Sequence, residues 1–323
     1  MHPVVVRLGT AVILTLCLLG LASARAQARE PIVIDGTAIY PESIGSSSQG
    51  ALYVGSLGGT LYRASPGGGA QRAKPWIVRD PSNSLLSIFG VLADDRSHTL
   101  YVCSSPAALP GGIAQGRAAV MLFDLASGRL RASASLPGEH AICDDIAVAA
   151  DGTAYVADIV NGEILSLAPH TGSLQPFAAD PALKGIDGLA FAADGTLYAD
   201  NVRTNQLLRI ERSAAGAFTG VTPLEPSAPL AGPDGFRLIA GNRFVLAEAR
   251  AGRIDEVTIT GQWASIRVLA SGLDSPSAAT VVGDTVYAVE GKIEYLVDPK
   301  RKGQDPGPFT IRPIPIREAR APY

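Results

Sequence analysis

Six stretches of this chain follow one template, and that recurrence limits the fold more than any other feature. Each opens on a polar or small residue, runs through a short apolar strand, turns, and continues as an aromatic-rich strand. PESIGSSSQGALYVGS begins at 41, CDDIAVAADGTAYVAD at 143, IDGLAFAADGTLYADN at 186 and PDGFRLIAGNRFVLAE at 233. SPSAATVVGDTVYAVE, from 275, fits as well, and IFGVLADDRSHTLYVCS, from 88, fits with one extra residue in its turn. A third strand is expected after each, in GTLYRA, AVMLFDL, GEILSLA, NQLLRIE, GRIDEVT and GKIEYLV, and PWIVRD, LQPFAA and SIRVLAS read as fourth strands. Units of three to four short antiparallel strands, returning every 42 to 55 residues, are propeller blades. The expectation is an all-β, six-bladed β-propeller. A sandwich has no reason to repeat one template. The strand PIVID, the strand FTIRPIPI, or both should complete the last blade and close the ring, which protects open edges. Asp-Gly at 151–152 and 194–195 predicts type I′ hairpins, with positive φ at both central residues.

The repeats also allow an internal alignment. Counting back 11 residues from Tyr53, Tyr155, Tyr198, Val245 and Tyr287 reaches Glu42, Asp144, Asp187, Asp234 and Pro276. With the extra turn residue allowed for, the remaining blade gives Phe89. These positions start the strand that lines a propeller's channel, so four carboxylates should converge on one axis at one mouth. Counting forward three gives Ser56, Ser104, Asp158, Asn201, Glu248 and Glu290, which antiparallel pairing returns to the same face. Crowded like charges need protons or a cation. Oxygen donors without thiolate or imidazole suit a hard divalent ion, Ca²⁺ before Mn²⁺ or Mg²⁺, with Zn²⁺ a further option. The alternative for each acid is a strand-start hydrogen bond to backbone.

The ends lie outside this pattern. Arg7, the apolar run Leu8–Leu21, and the small residues Ala24, Ala26 and Ala28 read as a secretory signal over 1–28, cleaved after Ala26 or Ala28. The run is too short to span a bilayer, which takes about 20 residues, so no membrane span is expected after cleavage. The mature protein is expected to be one propeller domain, 29–323, in the periplasm or secreted. Losing Arg7 and Arg25 moves the net charge from -3 to -5. A mildly acidic chain without a basic run gives no reason to expect nucleic acid. Cys103 and Cys143 remain after export. That compartment permits a disulfide between them, and two separate buried thiols fit the spacing equally well.

The pattern resembles the senescence-marker-protein (regucalcin) and gluconolactonase-like propellers over most of the mature chain. PES at 41–43 looks like that family's first-blade Glu, CDD at 143–145 like its Asn-Asp segment, IDG at 186–188 like its Asn-Gly segment, and PDG at 233–235 matches its Pro-Asp-Gly. The resemblance implies a metal held by Glu42, Asp187 and Asp234, with Asp144 beside it and Asp234 as general base. Asp144 and Asp187 stand where better-known members carry Asn, and Gly-Pro does not follow the first-blade Glu.

The function expected on these grounds is metal-dependent hydrolysis of a lactone or related ester at the channel mouth, with a small-molecule substrate. A non-catalytic scaffold for a ligand or protein partner is the alternative. A strictosidine-synthase-like lyase is a third reading. Asp158, Asn201 and His140 are candidates for substrate contact or support of the ligands. His98 and His170 fall in turns. Arg203 and Arg237 read as surface residues, Arg237 because strand alternation turns it from the channel. The long loop from Ser104 to Arg117 is expected to cover the mouth. No Ser-His-Asp order, phosphate loop or Cys/His metal spacing appears.

Overall fold

The computed structural model describes residues 29–65 and 72–316; the signal-like segment with Cys17 lies outside the described residues. Each template folds as an antiparallel pair. The first strands are Pro41–Ser46, Ser87–Asp94, Cys143–Val148, Ile186–Phe191, Pro233–Ala240 and Pro276–Val282. Each pairs with the strand that follows it. Each first strand also packs on the next, and Pro276–Val282 packs back on Pro41–Ser46, so these strands form a closed inner ring. This is a β-propeller. Three sheets have four strands. A fifth strand, Glu225–Pro226, is added in parallel to another. The sheet holding the first and last described strands has eight. Within it, Ile32–Ile34 lies antiparallel to Thr310–Pro315 and parallel to Arg72–Val78, so both terminal strands take part in closure.

The apolar core lies between neighbouring sheets, because each sheet buries both faces. Tyr53, Tyr101, Tyr155, Tyr198, Tyr287 and Val245, one from each second strand, are all buried. Tyr198 meets Phe244 of the next sheet edge-on at 5.6 Å. Cys103 and Cys143 form a disulfide between neighbouring sheets, with Cα atoms 5.1 Å apart. Ser105 Oγ accepts from Cys143 N–H at 2.8 Å across the same junction.

Two local expectations are corrected. Positive φ at the Asp-Gly turns occurs at Gly152 and Gly195 alone. Ala149 N–H bonds Thr153 O while Gly152 N–H bonds Ala149 O, and Ala192, Thr196 and Gly195 repeat this. These are three-residue loops in which the left-handed glycine forms a bulge, not type I′ turns. The Asp side chains instead accept from the N–H two residues on, in Thr153 and Thr196. The second correction concerns GKIEYLV, which is not a strand. Lys292 has φ +53, Glu294–Val297 forms one helical turn, and Thr310–Pro315 supplies the third strand there.

Inner strands approach so closely that small residues are required. A Cβ on Gly188 would lie 2.5 Å from Asp200 Oδ2 and 2.7 Å from the Phe236 backbone nitrogen. Gly188→Ala is therefore expected to cost about 1–3 kcal/mol, the usual range for overpacking, read as a lower urea midpoint with unchanged m-value.

Candidate functional site

Every inner strand breaks register at its start. The shifts fall at Pro41/Ser43, Ile88/Val91, Cys143/Ile146, Ile186/Leu189, Pro233/Phe236 and Pro276/Ala278. Such bulges re-aim a side chain, and the aligned acids sit at them. Glu42, Asp144, Asp187 and Asp234 line one cavity with Phe89, Asp145, Arg237 and Ala278. Its volume is ≈ 10 Å³, room for about one water or ion. One alignment position shifts. Pro276 pairs with Glu290 as Pro41 pairs with Ser56, so Ser277, not Pro276, is the equivalent of Glu42. Its hydroxyl donates to Pro41 O at 2.8 Å.

Burial and crowding push every ring carboxylate toward its protonated form. Protein surrounds each carboxylate, although Glu42, Asp187 and Asp234 keep partial exposure. Burial pushes Glu42 up to about 7. Burial, then the charge of Asp187, raises Asp144 well above the ordinary range. Burial and the charge of Asp234 raise Asp187, and burial and the charge of Glu42 raise Asp234. Asp144 and Asp187 are close enough to influence each other, and both are raised. Asp234 Oδ1 accepts from Gly235 N–H at 2.9 Å.

Three charged residues of the channel escaped the sequence reading. Arg237 is not a surface residue: its side chain is 11% exposed and forms a two-pronged ion pair with Asp145. Its guanidinium also donates to Phe236 O at 2.9 Å, and to Val91 O and Leu189 O at 3.4 and 3.5 Å. Burial alone would lower its pKa, and the charge and hydrogen bonds of Asp145, with the charges of Asp200 and Asp187, together more than reverse this. Asp145 Oδ2 also accepts from Leu189 N–H at 2.9 Å. Asp200 is fully buried, and neither of its oxygens has a well-formed hydrogen bond. Burial, then the charges of Asp145 and Asp144, raise it strongly; the nearby Gly188 amide and Arg237 offset only part. Each of the three is the one charged residue in a template column that is otherwise small, polar or apolar. Asp145 stands with Ser43, Gly90, Gly188, Gly235 and Ala278. Arg237 stands with Gly45, Leu92, Ala147, Ala190 and Thr280. Asp200 stands with Gly55, Cys103, Ala157, Ala247 and Val289. That oddity was the available signal.

The second-strand set does not face the cavity. Asp158 Oδ1 accepts from the Ile142, Val160 and Asn161 amides, and Asn161 Nδ2 donates to its Oδ2 at 2.8 Å. Asn201 accepts from Arg203 and Thr204 N–H and donates to Ala182 O and Lys184 O. Ser56 and Ser104 accept from Thr60 and Leu86 amides. Glu248 is bound by Arg253, and Glu290 accepts from Asp274 N–H. Asp158 and Asn201 thus shape the turns after their strands. His140 is exposed on its loop and does not line the cavity. Arg203, His98 and His170 are exposed.

Two loops border the mouth on either side of the first blade. In the Ser104–Arg117 loop, Ile113 N–H donates to Ser87 Oγ at 2.9 Å at the start of an inner strand, and Leu109 packs on the core cluster containing Tyr40. The 291–309 segment packs Ile293, Tyr295 and Leu296 on that cluster. Its Lys292 Nζ donates to Pro306 O and Pro308 O at 2.6 and 3.0 Å. At the channel's other end lies a pocket of ≈ 650 Å³, lined by Leu92, Val148, Phe191, Arg212 and Leu238 among others. Arg237 borders both cavities and so divides the channel.

No family model and no curated protein matches this chain. Solved structures do. A gluconolactonase from Xanthomonas campestris is 17% identical, over 90% of this chain and 99% of that one, with TM-score 0.61. A calcium-binding regucalcin from Agrobacterium tumefaciens is 17% identical, over 90% and 93%, with TM-score 0.60. The chain has the gluconolactonase and regucalcin propeller fold. A virginiamycin B lyase from Staphylococcus aureus shares it too, 12% identical over 88% and 98%, with TM-score 0.57. One propeller therefore carries different chemistries, and the site must decide between them.

The donor chemistry fits a divalent cation: oxygen only, from crowded carboxylates around an ion-sized space. The spacing is looser. Among the described residues, no three Asp, Glu, His or Cys side chains draw together closely enough to hold an ion. Binding at Glu42, Asp187 and Asp234 would require their carboxylates to turn inward.

The raised values fix a pH dependence. These groups keep protons in the folded protein that the unfolded chain releases near pH 4. Stability from this source is complete below that pH and is lost as pH rises through the folded values, with Glu42 at about 7. The ion-free protein is expected to melt lower at pH 8 than at pH 5, and Glu42→Gln to flatten the change between pH 6 and 8. A wild-type melting temperature constant over that window would contradict the ring electrostatics.

Proposed function

We propose that this chain is an exported six-bladed propeller that binds a divalent cation at Glu42, Asp187 and Asp234 and hydrolyses a lactone or related ester at that mouth. Six inner strands in one ring support the blade count, with the eight-stranded sheet read as two blades joined through Ile32–Ile34. The signal-like segment supports export to the periplasm or medium. The observation that carries the activity is the convergence of four aligned carboxylates on one ion-sized cavity, in the fold shared with a gluconolactonase. Ca²⁺ is the favoured ion, given the all-oxygen set.

When bound, the cation would polarise the ester carbonyl and stabilise negative charge on its oxygen. Asp234 takes the proton from the attacking water. Its raised pKa brings a carboxylate nearer to what a general base needs at neutral pH. Asp144, which burial and its acidic neighbours push toward the neutral form, limits the net charge beside the reacting ester. The 104–117 and 291–309 loops would set which esters reach the ring.

The narrow cavity favours a second reading, a binding scaffold whose ring is structural. The deciding assay is turnover of a panel of sugar and aliphatic lactones by the mature protein, with Ca²⁺, Mn²⁺ or Zn²⁺ and with chelator. Cation-dependent turnover is expected. No turnover with any ion transfers the proposal to the scaffold.

A further inference from the structure

The buried polar side chains at the ends of the second strands do more than shape the turns that follow them. Each of five ties down the segment that feeds the inner strand of its own blade. Ser104 Oγ accepts from Leu86 N–H at 2.9 Å, Asp158 Oδ1 from Ile142 N–H at 3.3 Å, and Glu290 Oε1 from Asp274 N–H at 2.8 Å. Glu248 Oε2 accepts from Ala231 N–H. Asn201 donates instead, from Nδ2 to Ala182 O and Lys184 O at 3.0 and 3.1 Å. The tied residue comes just ahead of a ring acid: Ile142 before Asp144, Lys184 before Asp187, Ala231 before Asp234. The first blade departs from this. Ser56 Oγ accepts from Thr60 N–H within its own turn, and the link from that turn to the strand bearing Glu42 is a backbone bond, Leu57 N–H to Tyr40 O at 3.2 Å. The tie ahead of Asp234 is braced further. Arg253 pairs with Glu248 Oε1 at 2.6 Å, and it also donates to Pro229 O at 3.2 Å and Asp255 Oδ2 at 2.9 Å. Charge-assisted bonds of this kind are the stronger ones.

We propose that this column positions the ring: Glu248, braced by Arg253, fixes the backbone that carries Asp234, and Asn201 and Asp158 do the same for Asp187 and Asp144. The reason lies in the bulges. The register shifts at Cys143/Ile146, Ile186/Leu189 and Pro233/Phe236 leave the three acids outside the strand pairing. Their place is therefore set by what holds the chain on either side, and on the entry side that is the column. Glu248, Asn201 and Asp158 do not line the cavity; they are positioning residues that act through the backbone. What the ring does once positioned rests on the function proposed above; the ties themselves do not.

The test reads ring positions first and kinetics second, on the mature protein. Ion-free crystal structures of Glu248→Ala, Asn201→Ala and Ser56→Ala are compared with the wild type. Arg253 keeps Asp255 as a partner in the first of these. Glu248→Ala is expected to move Asp234, and Asn201→Ala to move Asp187, by more than about 0.5 Å, the tolerance of a working site. Each should leave the other acid in place, and Ser56→Ala should move no ring residue. With a responsive lactone, Glu248→Ala is expected to lower kcat by about ten- to a hundredfold with little change in KM. Glu248→Gln keeps an acceptor for the Ala231 amide and should recover most of that loss. Asn201→Ala should instead raise the Ca²⁺ needed for half-maximal turnover and keep kcat at saturating ion. A ring acid that stays in place in its own variant, or acids of both blades moving together, would overturn the proposal. Should Glu248→Ala fail to fold, Asn201→Ala decides alone, and an unmoved Asp187 overturns it. If the wild type turns over no lactone with any ion, the hydrolase reading falls, and the ion-free structures still decide the positioning.

Discussion

Asp234→Asn is expected to lower kcat/KM for a responsive lactone by about two to four orders of magnitude, the range that a positioned general base contributes. Asparagine keeps an oxygen for the Gly235 amide, which donates to Asp234 Oδ1 at 2.9 Å. It removes the proton acceptor and one negative charge from the ring. Asp234 is raised by burial and by its acidic neighbours, so losing its charge relieves repulsion. The variant should therefore melt no lower than wild type in ion-free buffer. Loss of activity with retained or raised melting temperature separates the chemical role from a folding defect. Activity within a few-fold of wild type would remove Asp234 as the base.

Cys103→Ser has the largest expected effect on stability. The Cys103–Cys143 bridge closes a loop with a sequence separation of 40, and the chain-entropy relation for such a loop gives about 4 kcal/mol. The bond joins two neighbouring sheets of a ring, so its loss loosens a junction as well as the unfolded chain. Urea unfolding is expected to show that decrease, and reductant-treated wild type should approach the variant. The same midpoint with and without reductant would show that the bridge adds nothing to the native state.

The fold was legible because it rests on recurrence. Tyr53, Tyr155, Tyr198 and Tyr287 anchored a register that the strand pairing reproduces, and the acids counted from them share one cavity. The single slip, Pro276 for Ser277, arose because that hairpin has one residue fewer in its turn, between Thr280 and its partner Tyr287, than the first has between Gly45 and Tyr53. GKIEYLV misled because apolar content alone does not separate a short strand from a loop that packs on the core. The site was less legible. Asp158 and Asn201 occupy a polar column for a local reason: the turn that follows needs an acceptor for its free amides. Arg237 was placed outside by simple alternation, which the inner-strand bulges invalidate. Asp200 sits on a second strand, one residue before the column that the register singled out. Within the template, each of these two was the charged exception at its position, so comparing columns for their outliers, rather than for their shared character, would have found them.

The most direct test of the central claim is anomalous diffraction from crystals of the mature protein soaked in Ca²⁺ or Mn²⁺. The account predicts one strong peak in the channel, within coordination distance of Glu42, Asp187 and Asp234, with their carboxylates turned toward it and Arg237 still paired to Asp145. A channel without a peak at saturating ion, or a peak bound by other residues, would contradict it.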